Sequence, residues 1–443
     1  MQPATDLAGF IDASPTQFHA VHNAAARLLD AGFEQFVPMP DETTAAVAGA
    51  PAPSGAMAPG ARFVVRDGAL VAWVDGARPA APLRIIGAHT DSPNLRVRPR
   101  PDRAVAGVRQ LGVEVYGGAL LNSWLDRDLG LAGRVAVRGG ADQPVEHRLF
   151  RVDRPLLRVP QLAIHLDRDI SERGLLLNKQ QHLTPVWGLG ASFEGQFAAW
   201  LAEQVDVAPD DVLGWDVACF DLQPSSLLGL DDEFLVAPRL DNLCSSFGAI
   251  EALLAVRWGA VDAGPAMIVL FDFEEVGSTA ATGADSVWLA RMLEQRAEAL
   301  GLDRSTALVA SDRSMLLSAD MAHATHPNYP DRHEPQHWVR MGGGPVIKHN
   351  VNARYATDST GAAAFRLACD AADVPVQEYS HRGDLPCGST IGPISAAQLG
   401  VVTVDVGMPQ LSMHSVREMM AAEDVATMVT AFTSWFTTDR GIS

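Results

Sequence analysis

Two adjacent glutamates raise the first chemical question in this sequence. Glu274 and Glu275 directly follow AMIVLFDF, an apolar run that is typical of a buried strand. Removing two like charges from water is unfavourable by several kcal/mol each unless a cation receives them. The pair therefore faces either solvent or a metal ion. The wholly apolar strand before the pair and the tight Gly277-Ser278 after it favour the metal.

Two other apolar runs also end in residue types that bind metals. RIIGA leads to His89 and Asp91, and VVTVDVG leads to a loop that carries His414. Ligands of open α/β sheets bind beyond the carboxyl ends of the strands, so we expect the three segments to converge. His89 and Asp91 are two residues apart and point the same way if the strand continues. A carboxylate beside a ligating imidazole orients the ring and raises its basicity.

The remaining polar clusters are compatible with more than one interpretation. One glutamate of the pair could bind a metal while the other accepts a proton from a metal-bound water, whose pKa on zinc falls from about 15.7 to 7. Asp241, at a loop-to-helix junction, could equally cap the helix. Asp320, His323 and His326 could lie on one face of a helix or in a polar loop.

The elements that must position these residues belong to two kinds of segment. After residue 237, helices and strands alternate, which predicts an α/β fold with a mixed, largely parallel sheet flanked by helices. Within residues 94–236, short alternating segments with glycine turns predict an antiparallel sheet. We therefore predict a discontinuous α/β domain, residues 1–93 and 237–443, interrupted by an inserted β-rich domain at 94–236. Residues 45–61, rich in Ala, Pro and Gly, predict a surface loop.

Composition and charge limit the classes of function. The 443 residues exceed what one hydrophobic core usually covers. A formal charge of −19 would repel nucleic acid and anionic membranes, so neither is expected as a partner. The four cysteines are scattered and predict neither a disulfide framework nor a thiolate zinc site. Because we find no signal peptide and no apolar run of the ~18 residues that span a bilayer, we expect a cytoplasmic protein.

Nine longer runs carry a more specific signal. They are GAHTDSP, GVEVYGGALLNSWLDRDLGLAGRV, QLAIHLDRDI, APRLDN, FDFEEVGS, SADMAHATHPNY, GPVIKHNVNARYATD, DLPCGSTIGP and MPQLSMHSVREM. In this order, and over nearly the whole chain, they resemble the aspartyl aminopeptidase family of dinuclear-metal exopeptidases. The resemblance implies a metal-dependent aminopeptidase that removes N-terminal residues, preferably acidic ones, from small peptides with a free N-terminus.

The resemblance also implies a set of metal ligands. One ion would be bound by His89, Asp241 and Asp320, and the other by Asp241, Glu275 and His414, so that Asp241 bridges the two. The ions would be divalent, zinc in the first instance, with cobalt or manganese as alternatives. Three carboxylates against two dications leave the cluster cationic, which would tolerate a further glutamate nearby. The peptide between residues 241 and 242 is expected to be cis.

Other residues acquire roles from the same resemblance. Glu274 would be the general base that activates a water shared by the two metals, and Asp91 would orient His89. The inserted domain would mediate dimerisation and carry His165 into the neighbouring subunit's active site, where it would hydrogen-bond the developing oxyanion. The dimers would assemble into a tetrahedral dodecamer that admits only small peptides.

The preference for an acidic first residue requires a cation in the substrate pocket. His323, Lys348 and Arg382 are the candidates by position. Two other interpretations stay open at this point. A non-catalytic oligomeric shell would have lost a ligand or the base, and this sequence has lost neither. A related di-metal deacylase or carboxypeptidase would act on N-blocked substrates.

Overall fold

The computed structural model describes residues 2–37, 57–256 and 264–438. The helices of these residues are α1 (Gln2–Ala13), α2 (Gln17–Asp30), α3 (Ile170–Arg173), α4 (Gln196–Gln204), α5 (Leu240–Ala255), α6 (Trp288–Ala299), α7 (Arg304–Asp312), α8 (Ser359–Ala371), α9 (Ile391–Leu399) and α10 (Glu423–Thr437). The loop predicted at 45–61 lies largely outside the described residues.

Twenty strands lie in the same part of the chain. They are β1 (Glu34–Gln35), β2 (Ala61–Arg66), β3 (Ala69–Val74), β4 (Arg84–His89), β5 (Asn94–Val105), β6 (Val108–Tyr116), β7 (Leu129–Arg138), β8 (Val145–Leu157), β9 (Val186–Leu189), β10 (Val212–Asp221), β11 (Ser226–Leu228), β12 (Phe234–Ala237), β13 (Ala266–Phe271), β14 (Met315–Ala319), β15 (Ala322–His323), β16 (Val346–His349), β17 (Gln377–Ser380), β18 (Val402–Gly407), β19 (Pro409–Leu411) and β20 (Glu418–Ala421).

A nine-stranded mixed sheet forms the larger part of the fold. Its strand order is β1-β2-β3-β13-β4-β14-β18-β16-β17. The four central strands, β13, β4, β14 and β18, run parallel to one another. β4, β13 and β14 are buried along their whole length, as expected for parallel strands covered on both faces. The predicted mixed, largely parallel sheet flanked by helices is confirmed.

Two hydrophobic clusters cover the two faces of this sheet. On one face, α1, α2, α5, α8 and α10 contribute buried side chains such as Phe247 and Trp435. On the other face, α6 and α9 contribute Trp288 and Ile391. Along β4, Ile86 joins the first cluster and its neighbour Ile85 joins the second, because successive side chains of a strand point to opposite faces.

A six-stranded antiparallel sheet has a hydrophobic core of its own. Its order is β8-β7-β10-β5-β6-β9, and α4 packs Phe197 and Leu201 into its buried cluster together with Trp124. Every strand pair in it is antiparallel, as the alternating segments predict. The division of the chain at residues 93/94 and 236/237 stays a prediction.

A five-stranded sheet, β11-β12-β20-β19-β15, was not expected from the sequence. It joins β11 and β12, near the end of the predicted insertion, to strands that lie up to about two hundred residues later. Its strands are only two to four residues long, so no periodic pattern marks them. This sheet carries His323 on β15 and Glu418 on β20.

Two exclusions made from the sequence can be compared with the structure. All four cysteines lie within the described residues, and each is a free thiol there. Among the described residues, every helix is too short or too polar to cross a bilayer.

Candidate metal centre

The carboxyl ends of the central parallel strands meet at one edge of the nine-stranded sheet, and the candidate residues follow them. β4 ends at His89, and its neighbour β13 is followed by the turn that contains Glu274 and Glu275. β14, on the other side of β4, ends directly before Asp320. His414 follows β18 after the short strand β19. Four strands therefore converge here, one more than the sequence indicated.

His89, Asp241 and Asp320 form a cluster that we call the first triad. His89 Nε2 lies 3.3 Å from Asp241 Oδ1 and 3.6 Å from Asp320 Oδ1. All three residues are buried, and one ligand atom from each lies within 4.8 Å of the others. At these distances, one ligand atom from each of the three side chains could bind a single metal ion.

Asp241, Glu275 and His414 form the second triad. His414 Nε2 lies 3.6 Å from Asp241 Oδ2 and 3.5 Å from Glu275 Oε2. Asp241 thus directs one carboxylate oxygen to each triad and joins the two. Its carboxylate oxygens face the two histidines and not the N–H groups of the first turn of α5, so it does not act as a helix cap. Its peptide bond to Asn242 is cis, as the resemblance implies.

Both histidines are held so that the same nitrogen faces the cluster. His89 Nδ1 lies 3.0 Å from the Asp91 carbonyl oxygen and 3.4 Å from Asp91 Oδ1. His414 Nδ1 lies 3.1 Å from the Gly118 carbonyl oxygen. Because carbonyl oxygens only accept hydrogen bonds, each Nδ1 must carry the proton. Each Nε2 is thereby left as the nitrogen that can bind a metal.

Asp91 is itself fixed by several donors. Its Oδ1 accepts the backbone N–H of Glu274, and its Oδ2 accepts the N–H of Glu275, both at 3.1 Å. The Tyr116 hydroxyl donates to Oδ2 at 2.7 Å. Burial opposes ionisation of Asp91, but His89 and these donors hold its pKa below the ordinary value. One carboxylate therefore orients a histidine and both glutamates.

Glu418 is a functional candidate that the sequence did not single out. This buried carboxylate accepts the backbone N–H of Asp241 at Oε2, at 2.9 Å, and that of His414 at Oε1, at 2.6 Å. It therefore ties the backbones of two second-triad residues to β20. Burial, together with the charge of Asp241, raises the pKa of Glu418 to about 8. Its place in SMHSVREM was the only signal, because a lone glutamate has no diagnostic spacing.

The charges of the cluster are not balanced by the protein alone. Burial and the neighbouring carboxylates raise the pKa of Glu274 to about 8. Burial and the charge of Asp241 raise the pKa of Glu275 well above its ordinary value. Burial opposes protonation of His414, but the nearby carboxylates of Asp241 and Glu275 raise its pKa to about 10. In the cation-free protein, protons must therefore supply the positive charge.

Divalent cations fit this donor set. Asp241 Oδ1 and Glu275 Oε1 are buried and accept no hydrogen bond from the described residues. Such oxygens are costly unless they are paired or bind a metal. Imidazole nitrogens with carboxylates are ligands that zinc accepts, and they also suit cobalt and manganese. The distances permit a third grouping as well, in which Glu274 joins His89 and Glu275.

A cavity of about 480 Å³ opens onto both triads. His323 and Lys348 line it, as does Tyr355. The Lys348 ammonium donates to the carbonyl oxygens of Asp320 and Met321, at 2.9 and 3.1 Å, and is buried. His323 is exposed at the wall of this cavity, on β15.

Three residues named from the sequence do not line this cavity. Arg382 pairs with Asp384 and lines a neighbouring depression. His326 packs edge-to-face against Tyr329 and accepts a backbone N–H. Because Ala322 and His323 form strand β15, the helix-face interpretation of residues 320–326 is wrong. His165 is exposed on the 3-10 turn Ile164–Leu166.

The fold and the paired triads are those of a metallopeptidase, and comparison with known proteins agrees. The family model described as Aminopeptidase I zinc metalloprotease (M18) matches residues 10–436. A probable M18 family aminopeptidase 2 of Streptomyces coelicolor is 48% identical over 435 residues, which cover 97% of this chain and 96% of the relative.

Two solved structures are similar over almost the whole chain. The structure of the Ape4 and Nbr1 complex has a TM-score of 0.90 at 36% identity, and the match covers 98% of this chain and 85% of that one. The S. cerevisiae mApe1 dodecamer has a TM-score of 0.82 at 26% identity, and the match covers 99% and 97%. The chain belongs to the M18 family. It is a metalloaminopeptidase of the zinc-dependent type.

Proposed function

We propose that this aminopeptidase binds two divalent cations, zinc in the first instance, with one in each triad. The observation that carries the proposal is the position of Asp241, whose two carboxylate oxygens face two different histidines. Such a bridging carboxylate is suited to a pair of ions at short separation. The two buried oxygens without hydrogen bonds support the same conclusion.

Glu274 is proposed as the general base. Bound cations would supply a water of lowered pKa and polarise the scissile carbonyl. They would also offset the neighbouring carboxylates, so that Glu274, whose pKa in the cation-free protein is about 8, could stay ionised and accept a proton near neutral pH. Asp91 holds the Glu274 backbone, and with it the side chain, at the wall of the cavity.

Replacing Glu274 by Gln tests this role. We expect kcat to fall by roughly 100- to 10,000-fold, the range for a lost general base, with cation uptake unchanged. Cation uptake is measured by calorimetry and kcat with aminoacyl anilides. If Glu274 instead belonged to the third grouping, with His89 and Glu275, the Glu274→Gln protein would bind cations more weakly. That outcome would refute its assignment as the base.

An acidic first residue is proposed as the preferred substrate. Lys348 and His323 line the cavity beside the triads. The Lys348 ammonium donates to two carbonyl oxygens and lies 3.7 Å from the Asp320 carboxylate, and a substrate carboxylate in the cavity would be a further partner for its positive charge. Arg382 is not part of this proposal because it lines another depression. A kinetic panel of Asp-, Glu-, Leu- and Lys-anilides decides the matter, and equal kcat/KM for Asp and Leu would refute it.

Assembly is proposed to complete the active site. The S. cerevisiae mApe1 structure is a dodecamer. His165 here lies among the exposed apolar side chains Leu162, Ile164 and Leu166, a combination typical of a protein interface. We propose dimers in which His165 reaches the partner's cavity, and a tetrahedral dodecamer of such dimers. Sedimentation of wild type and His165→Ala tests this: the variant should stay dodecameric and lose activity. A cytoplasmic location stays a prediction.

Two controls separate this function from its alternatives. Stringent chelation should abolish cleavage, and added zinc, cobalt or manganese should restore it. Free and N-acetylated dipeptides distinguish an aminopeptidase from a deacylase or carboxypeptidase of related fold. Faster cleavage of the acetylated peptide would contradict the proposal.

A further inference from the structure

The end of strand β6 brings the six-stranded sheet into contact with the metal centre. Tyr116 is the last residue of β6, and Gly117 and Gly118 follow it. We call residues 116–118 the β6 exit. None of the three supplies a proposed metal ligand, yet each lies against a residue that is a ligand or orients one. The β6 exit therefore links the two sheets at the site.

Tyr116 acts on the first triad through Asp91. Its hydroxyl donates to Asp91 Oδ2 at 2.7 Å, and the same carboxylate lies against His89 Nδ1. The Arg96 guanidinium, from the paired strand β5, stacks 3.5 Å above the Tyr116 ring centroid. Burial raises the pKa of the phenol far above its ordinary value, so the hydroxyl remains a donor. The six-stranded sheet thus holds the Tyr116 ring, while the Tyr116 hydroxyl contacts Asp91, which follows β4 of the nine-stranded sheet.

Gly117 and Gly118 act on the second triad. The Gly118 carbonyl oxygen accepts a hydrogen bond from His414 Nδ1, and a Cβ on Gly118 would lie 3.0 Å from that nitrogen. Gly117 has φ +70°, and a Cβ there would lie 3.1 Å from Glu275 Cβ. The backbone can approach both ligands this closely only because neither residue has a side chain. Just beyond, the Leu120 N–H donates to the His414 carbonyl at 2.9 Å.

We propose that the β6 exit positions the ligands of both triads, so that the cation affinity of this enzyme depends on docking of the six-stranded sheet. Tyr116 serves the first triad and Gly118 the second. The inference rests on the proposed pair of cations. Because coupling between two equilibria is reciprocal, bound cations should in turn stabilise the docked sheet.

The first experiment titrates zinc into five cation-free proteins by calorimetry with a competing chelator. These are wild type, Tyr116→Phe, Gly118→Ala, the combined variant with both substitutions, and the control Tyr329→Phe, whose ring is exposed and packs on His326. We expect each of the first two variants to weaken one of the two binding steps by about 10–100-fold, the usual effect of losing a group that orients a ligand. The combined variant should weaken both steps, and the control neither.

The outcomes separate this inference from the proposed function. If the wild-type protein fails to bind two ions, the proposed metal centre itself is refuted. A wild type that binds two ions, with variants of equal affinity, would leave the metal centre standing and overturn the role of the β6 exit. Loss of the same binding step in both variants would overturn the assignment of one residue to each triad.

A second experiment excludes a general loss of structure. Hydrogen exchange of residues 94–118 is measured with and without zinc in wild type and Tyr116→Phe. We expect zinc to slow exchange there in wild type and to do so less in the variant, with the cation-free proteins alike. If the cation-free variant already exchanges much faster, or if zinc protects both proteins equally, Tyr116 serves the fold and not the cation site.

Discussion

The two triads share Asp241 but differ in how their histidines are held. The His89 side chain is 1% exposed, and its Nδ1 lies 3.0 Å from the Asp91 carbonyl oxygen and also 3.4 Å from the ionised Asp91 carboxylate. The His414 side chain is 29% exposed, and its Nδ1 donates to a neutral carbonyl, that of Gly118. A carboxylate makes its imidazole a more basic ligand than a carbonyl does, and burial keeps competing water away. We therefore expect the first triad to retain its cation and the second to exchange it readily.

The largest expected effect comes from the residue that the triads share. Asp241→Asn removes a charge that faces both histidines, so both cations should bind far more weakly and activity should fall by more than about 100-fold. Metal content after dialysis and kcat/KM measure this. Asp210→Asn, at an exposed position, is the matched control. One tightly retained ion in Asp241→Asn would show that the triads are independent.

Replacing each histidine in turn tests the difference between the triads directly. His414→Ala should retain one ion with nearly the wild-type affinity of the tighter step, because the buried triad is intact. His89→Ala should lose that tight step and retain only weak binding. Both variants should be inactive if catalysis requires two ions. Equal residual affinity in the two proteins would contradict the proposed ranking.

A smaller effect is expected at Glu418, which accepts hydrogen bonds from the backbone N–H groups of two second-triad residues. Gln keeps one carbonyl oxygen but presents an NH₂ group to the other backbone donor, so one of the two hydrogen bonds to Asp241 and His414 is lost. We expect Glu418→Gln to weaken the looser cation step by about 10–100-fold. Glu423→Gln, exposed in the first turn of α10, is the control. A selective loss of the tighter step would be inconsistent with this assignment.

The smallest expected effect is that of pH on stability and on cation affinity. The pKa values of Glu274, near 8, and His414, near 10, are raised in the cation-free fold, so protonation stabilises that fold at low pH and this stability is lost as pH rises through those values. Cations replace the protons, so their apparent affinity should rise by up to about tenfold per pH unit for each proton displaced. Thermal unfolding is measured from pH 6 to 10, with and without zinc. The Tm of the cation-free protein should fall as the pH rises, and the Tm of the zinc-loaded protein should stay nearly constant. Parallel curves would exclude proton displacement.

Sequence and structure agree best where a strand has a strong apolar pattern. The runs before His89 and Glu274 lead directly into the HxD and EE pairs, and both are central parallel strands. The strand before Asp320 was missed, because no such pair follows MLLSA and this short run carries no signal that separates it from a buried helix segment. The five-stranded sheet was missed because its short strands pair only through distant segments.

The positioning residues were the hardest to predict. Tyr116 and Gly118 each act through one hydrogen bond to a residue distant in the chain, and Glu418 acts through two, from Asp241 and from His414. An isolated tyrosine, glycine or glutamate has no characteristic spacing, whereas HxD and EE pairs at strand ends do. Their roles become visible only when the partner atoms are located.

By itself, the sequence determined the ligand types, the strands that carry most of them and the family resemblance, because these depend on local residue order and apolar pattern. Tertiary structure alone decided that Nε2 of each ring faces the cluster and that the six-stranded sheet contacts both triads, and it gave the distances for the bridging position of Asp241 that the resemblance only implied. Apart from the contact of His89 with Asp91, those facts depend on distances between atoms far apart in the chain. No local pattern encodes them.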